Sequence, residues 1–310
     1  MESRHFQYIR TIAETGSISR AAEKLYISQP SLSQLLKNVE KKIGAPLFDR
    51  GSQPLRLTTI GKKYLETGQH IAELETEFHR YVEDELGCAK GNLVVGSSPF
   101  RSTYFLAAFL PQFQEKYPGI RLQLAEHTSK RLEESVLSGE ADLIIATQPV
   151  DTDAFAFAEL YSEEMILVLP ANHELSQQYH LPKDCQQTLP ILPMELLKDT
   201  PFIQMHSEQK LHQQLLNICA EAGFTPKIYL QTRSMETALT LASAGLGATL
   251  LPMTLLRAFK PQTAPCYAAL PTRPRRHALI AWRKKSYLSH AARAFIDALV
   301  NYCRDKGDEL

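Results

Sequence analysis

The strongest constraint on the fold is a pair of short amphipathic helices that only three residues separate near the start of the chain. The first helix is predicted by apolar residues spaced along one helical face, Ile18, Ala21, Ala22 and Leu25. The same spacing recurs further on, at Leu32, Leu35, Leu36, Val39 and Ile43. Between them lies Tyr26–Ser28, and two helices joined by so short a link form a helix-turn-helix unit.

Local signals mark where these helices begin and end. Ser17 is expected to cap the first helix of the pair and Ser28 the second, because a side-chain oxygen can accept from the amides there. Pro30 suits a first helical turn and Gly44 a C-terminal stop. A further helix is predicted before the pair, on the face Phe6, Ile9, Ile12 and Ala13. The alternating segment Pro54–Thr58 predicts a short strand, the wing, after it.

A long helix is predicted from about Thr59 to Leu86. Its apolar residues are spaced as an a/d seam between charged faces, at Tyr64, Ile71, Leu74, Phe78 and Tyr81. We expect this seam to pack on a copy of the same helix. The alternative is that the helix packs on its own domain.

From Gly91 onward, strand-like runs alternate with amphipathic helices, which is typical of an α/β fold with parallel strands. In the first half the predicted elements are Leu93–Gly96, Pro99–Lys116, Ile120–Glu126, Arg131–Ser138 and Asp142–Ala146. In the second half they are Phe202–Gln204, Glu208–Ala222, Ile228–Leu230, Met235–Ala244 and Ala248–Leu251. Two such halves predict two α/β lobes with a cleft between them.

The distribution of charge favours nucleic acid at one end of the chain. The whole chain is neutral, with 34 basic and 34 acidic residues. Residues 1–60 hold nine Lys or Arg against five Asp or Glu, however, whereas residues 61–90 hold four against seven. A phosphate-binding face would use the basic excess of the first sixty residues.

Several classes of protein are disfavoured by composition and motif. No apolar run reaches the roughly 18–20 residues of a membrane span, and no signal-peptide core follows Met1, so we expect a cytoplasmic protein. The five cysteines are scattered, without a CxxC pair, which argues against disulfides or zinc. No catalytic motif such as a P-loop, HExxH or GxSxG is present, so neither catalytic residues nor a metal or cofactor are expected.

Three stretches closely resemble the signature of the LysR family of bacterial transcription regulators. They are Gly16–Ser33, Leu47–Arg50 and Leu57–Gly61. Ser138–Asp142 and Ala244–Ala248 resemble the effector domain of that family more weakly. The resemblance covers the whole chain and implies an all-α winged helix-turn-helix head, a dimerising linker helix and a two-lobed α/β sensor like periplasmic solute-binding proteins. The expected partners are promoter DNA, a small-molecule effector and further copies of the chain, in a homodimer or homotetramer. The effector is expected to be acidic, because helix starts favour anions.

The resemblance also implies a division of the chain. The head is expected at 1–58, the linker helix at 59–89 and the effector domain at 90–310. Within the last, the chain would cross between lobes near Glu163 and Tyr267, so that lobe one takes 91–163 and 268–310 and lobe two takes 164–267. Gln53 stands where the wing of the family often has a second basic residue, so Arg50 and Arg56 are expected to contribute more to phosphate binding.

DNA contact is predicted at the start of the third helix, because a recognition helix presents its N-terminal residues to base edges. Gln29 can bind adenine with paired hydrogen bonds, and Lys37, Arg50 and Arg56 suit phosphates. The candidates are Ser17, Ser28, Gln29, Pro30, Ser31, Ser33, Gln34, Lys37, Arg50 and Arg56. The alternative is that the Ser-Gln-Pro start is only a helix cap.

Effector contacts are predicted where strands end and helices begin in the two lobes. The candidates are Ser97, Ser98, Thr128, Ser129, Thr147, Gln148, Gln204, His206, Ser207 and Arg233. Arg101, Lys130 and Arg233 could add positive charge, whereas Ser98, Ser129, Ser207 and Ser234 could be plain N-caps. A free solute-binding protein is excluded by the head, and a sensor of oxidation through Cys185 and Cys219 stays an alternative.

Overall fold

A computed structural model describes residues 3–49, 51–85 and 91–307 of the chain. The chain divides into two compact units, Met1–Leu86 and Gly87–Leu310, which are described separately below. Among the described residues, no helix combines the length and the apolarity needed to cross a bilayer. The predicted fold class, α/β with a helical winged head, is confirmed.

The first unit contains four helices and a two-stranded wing. The elements are α1 (Ser3–Thr15), α2 (Ile18–Lys24), α3 (Gln29–Ile43), β1 (Phe48–Asp49), β2 (Arg56–Leu57) and α4 (Thr59–Glu85). Strands β1 and β2 pair antiparallel. The apolar faces predicted for the first three helices form one buried core, to which Leu47 and Phe48 add the base of the wing. Ile43 is the exception, since it is 39% exposed at the last turn of α3.

The predicted helix boundaries of the head are confirmed by their caps. The Ser17 hydroxyl accepts from the Arg20 amide (3.4 Å), and the Ser28 hydroxyl accepts from the Ser31 amide (3.3 Å). Gly44 ends α3 in the left-handed region at φ +81°, a conformation that glycine adopts without steric cost. Four residues, Leu25–Ser28, separate α2 from α3, one more than predicted, because α2 ends at Lys24 and Leu25 is its C-cap.

Helix α4 begins on the head and then leaves its core. Tyr64 and Leu65 pack against the core of the head, so the alternative of packing on its own domain holds for the first turns. Further along, Leu74, Phe78 and Tyr81 are 64%, 63% and 47% exposed. The greater part of the predicted seam is thus an apolar stripe on the surface of this chain.

The second unit is built on a seven-stranded mixed sheet. In chain order its elements are β3 (Gly91–Ser97), α5 (Pro99–Arg101) continued by a π-helical turn (Ser102–Leu106) into α6 (Ala107–Lys116), β4 (Ile120–Glu126), α7 (Ser129–Leu137), β5 (Leu143–Thr147), β6 (Phe155–Leu169), α8 (Glu174–Gln178), a 3-10 turn (Met194–Leu197), β7 (Pro201–Met205), α9 (Lys210–Glu221), β8 (Lys227–Thr232), α10 (Met235–Ser243), β9 (Thr249–Pro252), α11 (Met253–Ala258), β10 (Cys266–Ala268), β11 (Arg275–Arg283) and α12 (His290–Lys306). The predicted parallel strands β3, β4 and β5 lie side by side, and β7 pairs parallel with β8.

Strand β6 pairs with different strands along its two halves. Strand β6 has 15 residues, and it pairs with β11 as far as Glu164 and with β9 and β10 from Met165 onward. The change of partner falls after Glu164, and Ala269 and Leu270 pack in the same apolar core as Tyr267. The predicted crossings between lobes, near Glu163 and Tyr267, stay predictions.

Candidate functional site

The start of α3 presents polar side chains to solvent. Gln29, Pro30 and Ser31 are exposed, and Ser33 is half-buried one turn further along. Among the described residues, the Gln29 side chain has no hydrogen-bond partner, whereas the Ser28 and Ser31 hydroxyls lie 2.7 Å apart and bind each other. Ser28 therefore acts as a cap, as the alternative interpretation has it, while Gln29 keeps its amide available.

The other predicted DNA contacts lie on two parts of the head. Gln34 is exposed on α3 and donates to Asn38 (3.0 Å), and Lys37 is exposed on the same helix. Arg56 is exposed on the wing strand β2. Ser17, half-buried, serves as the cap of α2. Arg50 lies outside the residues that the structure describes.

A cavity of about 570 Å³ lies between the two lobes. The starts of α7, α9 and α10 border it at Thr128, Gln209 and Ser234. Of the predicted effector contacts, five line this cavity: Ser98, Thr128, Ser129, Thr147 and Arg233. Ser98 and Ser234 also cap α5 and α10, whereas Thr128, not Ser129, stands at the cap position of α7.

The remaining five predicted residues are not brought to this cavity. Ser97 is buried at the end of β3, and Gln204 is buried in β7, where it accepts from Gln231 at 3.4 Å. Gln148 lines a neighbouring cavity of about 810 Å³. His206 and Ser207 follow β7 but line neither cavity, and Ser207 does not cap α9, whose cap position is Gln209.

Several residues at the cavity are absent from the sequence-based candidates, among them Lys210 and Arg276. Lys210, the first residue of α9, reaches across to lobe one, where its Nζ donates to the carbonyls of Thr147 (2.7 Å) and Pro149 (2.6 Å). It also pairs with Glu133 at 2.7 Å. Arg276 lines the cavity and binds Glu163 beneath it (2.5 Å). Arg276 lies on β11 and Glu163 on β6, two strands with no prediction from the alternating pattern.

Comparison with known proteins places the chain in a family. The family profile described as LysR substrate binding domain matches residues 88–304, and the one described as bacterial regulatory helix-turn-helix protein, lysR family, matches residues 3–62. The chain belongs to the LysR family of transcriptional regulators. The resemblance seen in its helix-turn-helix residues is thereby confirmed.

Relatives named as transcriptional regulators match over most of the chain. The uncharacterized HTH-type transcriptional regulator YwbI of Bacillus subtilis (strain 168) is 30% identical over 305 residues, which cover 98% of each protein. A probable RuBisCO transcriptional regulator of Synechocystis sp. is 31% identical over 254 residues, covering 80% of this chain and 70% of that protein. The match to the Bacillus protein spans both regions of this chain that the family profiles match.

Solved structures share the fold. Full-length OxyR C199D from Pseudomonas aeruginosa has a TM-score of 0.67 at 23% identity, covering 98% of this chain and 95% of that one. The LysR family regulator CbnR has a TM-score of 0.68 at 20% identity, covering 98% and 99%. At these identities the likeness concerns the fold alone.

The cysteines of this LysR-type regulator are buried thiols where the structure describes them. Cys185, Cys219, Cys266 and Cys303 are all buried and free of disulfides. Burial raises the pKa of Cys219 to about 11 and that of Cys303 to about 12. Because the thiolate is the reactive form, these thiols are poor targets for oxidants at neutral pH. Cys88 lies outside the described residues.

Replacing Cys185 and Cys219 by alanine is therefore expected to leave the regulatory response in place. Removal of the sulfurs costs packing and, at Cys185, a weak contact from Lys260 Nζ (3.9 Å), so we expect a small loss of thermal stability and an unchanged ratio of induced to basal transcription. The measurement is a reporter assay of the double variant beside the parent. Loss of the response in a protein that remains folded would instead support oxidation sensing.

Proposed function

We propose that this LysR-type regulator recognises promoter DNA with the start of α3 and that Gln29 is its foremost base-contacting residue. The observation that carries the proposal is the free, exposed amide of Gln29 on the first turn of the second helix of the helix-turn-helix. A glutamine amide presents a donor and an acceptor that match the major-groove edge of adenine. Pro30, Ser31 and Ser33 extend the same surface.

Phosphate contacts would position this surface on the duplex. Lys37 on α3 and Arg56 on β2 are exposed cations of the head, and Arg50 belongs to the same proposal through its match to the family signature. Such contacts bind any sequence and depend on salt, whereas the α3 contacts choose among sequences. Ser17, Ser28 and Gln34 are proposed to contact the backbone near these cations.

The test compares two substitutions on the same head. Gln29→Ala should weaken binding to a selected operator about 10- to 100-fold while binding to random DNA changes little, since one base contact is lost. Arg56→Ala, the matched control, should weaken both and lower the slope of log K against log salt by about one. Fluorescence anisotropy over a series of salt concentrations measures both quantities.

Equal weakening on operator and random DNA by Gln29→Ala would contradict the base-reading role. It would reduce Gln29 to a phosphate contact or a structural residue. An unchanged salt slope for Arg56→Ala would remove that cation from the phosphate contacts without affecting the first result.

We further propose that two heads act together through the exposed stripe Leu74, Phe78 and Tyr81 of α4. Apolar side chains repeated at three and four residues on a helix surface are suited to pairing with a second helix. A structure of full-length CbnR complexed with its target DNA is among the fold neighbours. A homodimer, or a homotetramer made of two dimers, is the proposed assembly.

The effector is proposed to bind between the lobes, in the 570 Å³ cavity. Lys210 supports this, because it starts a helix of lobe two and its side chain bonds to lobe one beside the cavity, so it can respond to what fills that space. The division into a head (1–58), linker helix (59–89) and effector domain (90–310) is part of the proposal. We also propose that the protein acts by binding and not by catalysis. Its place of action is proposed to be the cytoplasm, where a regulator of this family meets promoter DNA.

A further inference from the structure

We infer that Tyr26, in the turn between α2 and α3, contacts the sugar-phosphate backbone of DNA beside the groove that α3 enters. This rests on the proposed function, in which the start of α3 reads bases, and it adds a contact that carries no charge. Tyr26 lies three residues before Gln29, the first residue of α3. It is absent from the DNA contacts predicted from the sequence.

The side chain of Tyr26 has no contact that would hold it on the head. It is 96% exposed, whereas Leu74 of α4, the next most exposed large apolar side chain in the described part of the chain, is 64% exposed. Its phenol makes no hydrogen bond or ring contact with any described residue. The next residue, Ile27, packs against the core of the head instead. One exposed tyrosine is ordinary on a protein surface, but the backbone conformation of Tyr26 is not.

The backbone of Tyr26 is in the left-handed region, at φ +54°. Helix α2 ends here in a Schellman motif, in which the Ile27 amide donates to the Ala22 carbonyl (3.0 Å) and the Tyr26 amide to the Glu23 carbonyl (3.1 Å). Glycine is preferred at such a stop, because a Cβ crowds the backbone there. In this chain a left-handed glycine follows α1, α3, α7, α9 and α10, and a histidine follows α8. A tyrosine at the end of α2 therefore costs the head stability without adding a contact inside it.

A local cost without a local gain indicates that the side chain is kept for a contact outside the head. The position of Tyr26 favours DNA as that partner. Three residues of chain span at most about 10 Å, and the major groove is about 12 Å wide. When Gln29 lies against a base edge near the middle of the groove, Tyr26 is therefore at the groove wall, where the sugars and phosphates are.

A tyrosine suits this wall through both parts of its side chain. The hydroxyl can donate to a phosphate oxygen, and the apolar face of the ring can pack on a deoxyribose. The exposed charges beside it, on Glu23 and Lys24, are opposite in sign, so the contact depends on the phenol itself. A neutral group releases no counterion from DNA. The Tyr26 contact should therefore strengthen binding to any sequence without adding to its salt dependence.

This combination separates Tyr26 from the other proposed contacts of the head. Loss of Gln29 should weaken binding to the operator alone, and loss of Arg56 should weaken binding to all DNA and lower the salt slope. Loss of Tyr26 should weaken binding to all DNA and leave the salt slope as in the parent. The three kinds of contact can thus be distinguished in one set of titrations.

The test compares Tyr26→Gly and Tyr26→Phe with the parent in the full-length protein, by fluorescence anisotropy on a random duplex and on a selected operator over a series of salt concentrations. Tyr26→Gly should weaken binding to both DNAs by about 10-fold or more, since a hydrogen bond to a charged group is lost together with the ring. Tyr26→Phe, which keeps the ring, should show a smaller loss on both. Arg56→Ala is the control that must lower the slope of log K against log salt.

Two further measurements on Tyr26→Gly separate a DNA contact from a structural role. Its melting temperature should be equal to that of the parent or higher, because relief of the left-handed strain offsets the greater freedom of glycine in the unfolded chain. Its sedimentation coefficient should match that of the parent. Loss of affinity at full stability and unchanged assembly is the result that a structural tyrosine would not produce.

A series of operator duplexes, each with one phosphate replaced by a neutral methylphosphonate, locates the contact. At one position beside the bases that α3 reads, the replacement should weaken binding of the parent but not weaken Tyr26→Phe further. Unchanged affinity of Tyr26→Gly for both DNAs, a loss confined to the operator, a lower salt slope, or a loss that accompanies a lower melting temperature or a smaller assembly would each overturn the inference. Because random DNA suffices for the main result, the inference and the base-reading role of Gln29 can fail separately.

Discussion

Replacing Leu74 and Phe78 together by glutamate is expected to produce a monomer that binds its operator at least about 100-fold more weakly. These residues are the most exposed part of the apolar stripe on α4. Two linked heads bind neighbouring half-sites as one unit, so loss of the link removes the gain in effective concentration while each α3 stays intact. Burial of two glutamates in a helix pair would be costly, and the pair should therefore separate.

Sedimentation velocity and operator titration on the same samples measure this prediction. Thr76→Glu is the matched control, because it places the same residue on an exposed position of α4 outside the stripe. The control should keep the assembly and the affinity of the parent. A double variant that sediments like the parent would show that the stripe does not hold the copies together.

Gly61→Ala is expected to destabilise the head by about 3 kcal/mol or more, through overpacking. A Cβ at Gly61 would meet the Leu47 carbonyl oxygen at 2.0 Å and Leu57 Cδ2 at 3.0 Å. That carbonyl is held in place, since it accepts from the Thr58 amide at 2.9 Å. The start of α4 would have to move off the wing to make room, because neither backbone can yield alone.

Hydrogen exchange resolved by peptide measures this effect in the full-length protein. Protection of α1–α3 should fall by more than about 100-fold, while that of the effector domain stays as in the parent. Gly51→Ala, in the turn of the wing, is the control, because its added Cβ would meet only Asp49 Oδ1 at 3.4 Å. Unchanged protection in Gly61→Ala would mean that the joint between wing and helix adapts without strain.

The head was predictable from the sequence because its structure follows local rules. Ser17, Ser28 and Gly44 each act on the residues next to them, and the apolar spacing of α2 and α3 states which faces meet. The same applies to the parallel strands β3, β4 and β5 with their connecting helices. For such elements, a few neighbouring residues determine the type of secondary structure, where it ends and which face is buried.

The cavity was only partly predictable, because the residues around it come from distant segments. Arg101 was recognised as a possible charge, but Glu163 and Arg276 are 113 residues apart in the chain and meet through the pairing of β6 with β11. Strand β6 is buried over much of its length and passes between lobes, so it lacks the alternation of a half-buried strand. The hydroxyls at strand ends marked Ser98 and Thr128 as candidates, and both line the cavity. No such pattern marks Lys210, whose long side chain reaches the carbonyl of Thr147.

Selection of binding sites from a random DNA library measures whether this regulator reads promoter sequence through α3. We predict an enriched sequence of two half-sites related by two-fold symmetry and separated by about one or more helical turns, which the purified protein binds at least about 1,000-fold more tightly than random DNA. Gln29→Ala should reduce that ratio. Enrichment of no sequence, with equal binding to every DNA in the library, would contradict a regulator that reads promoter sequence through α3.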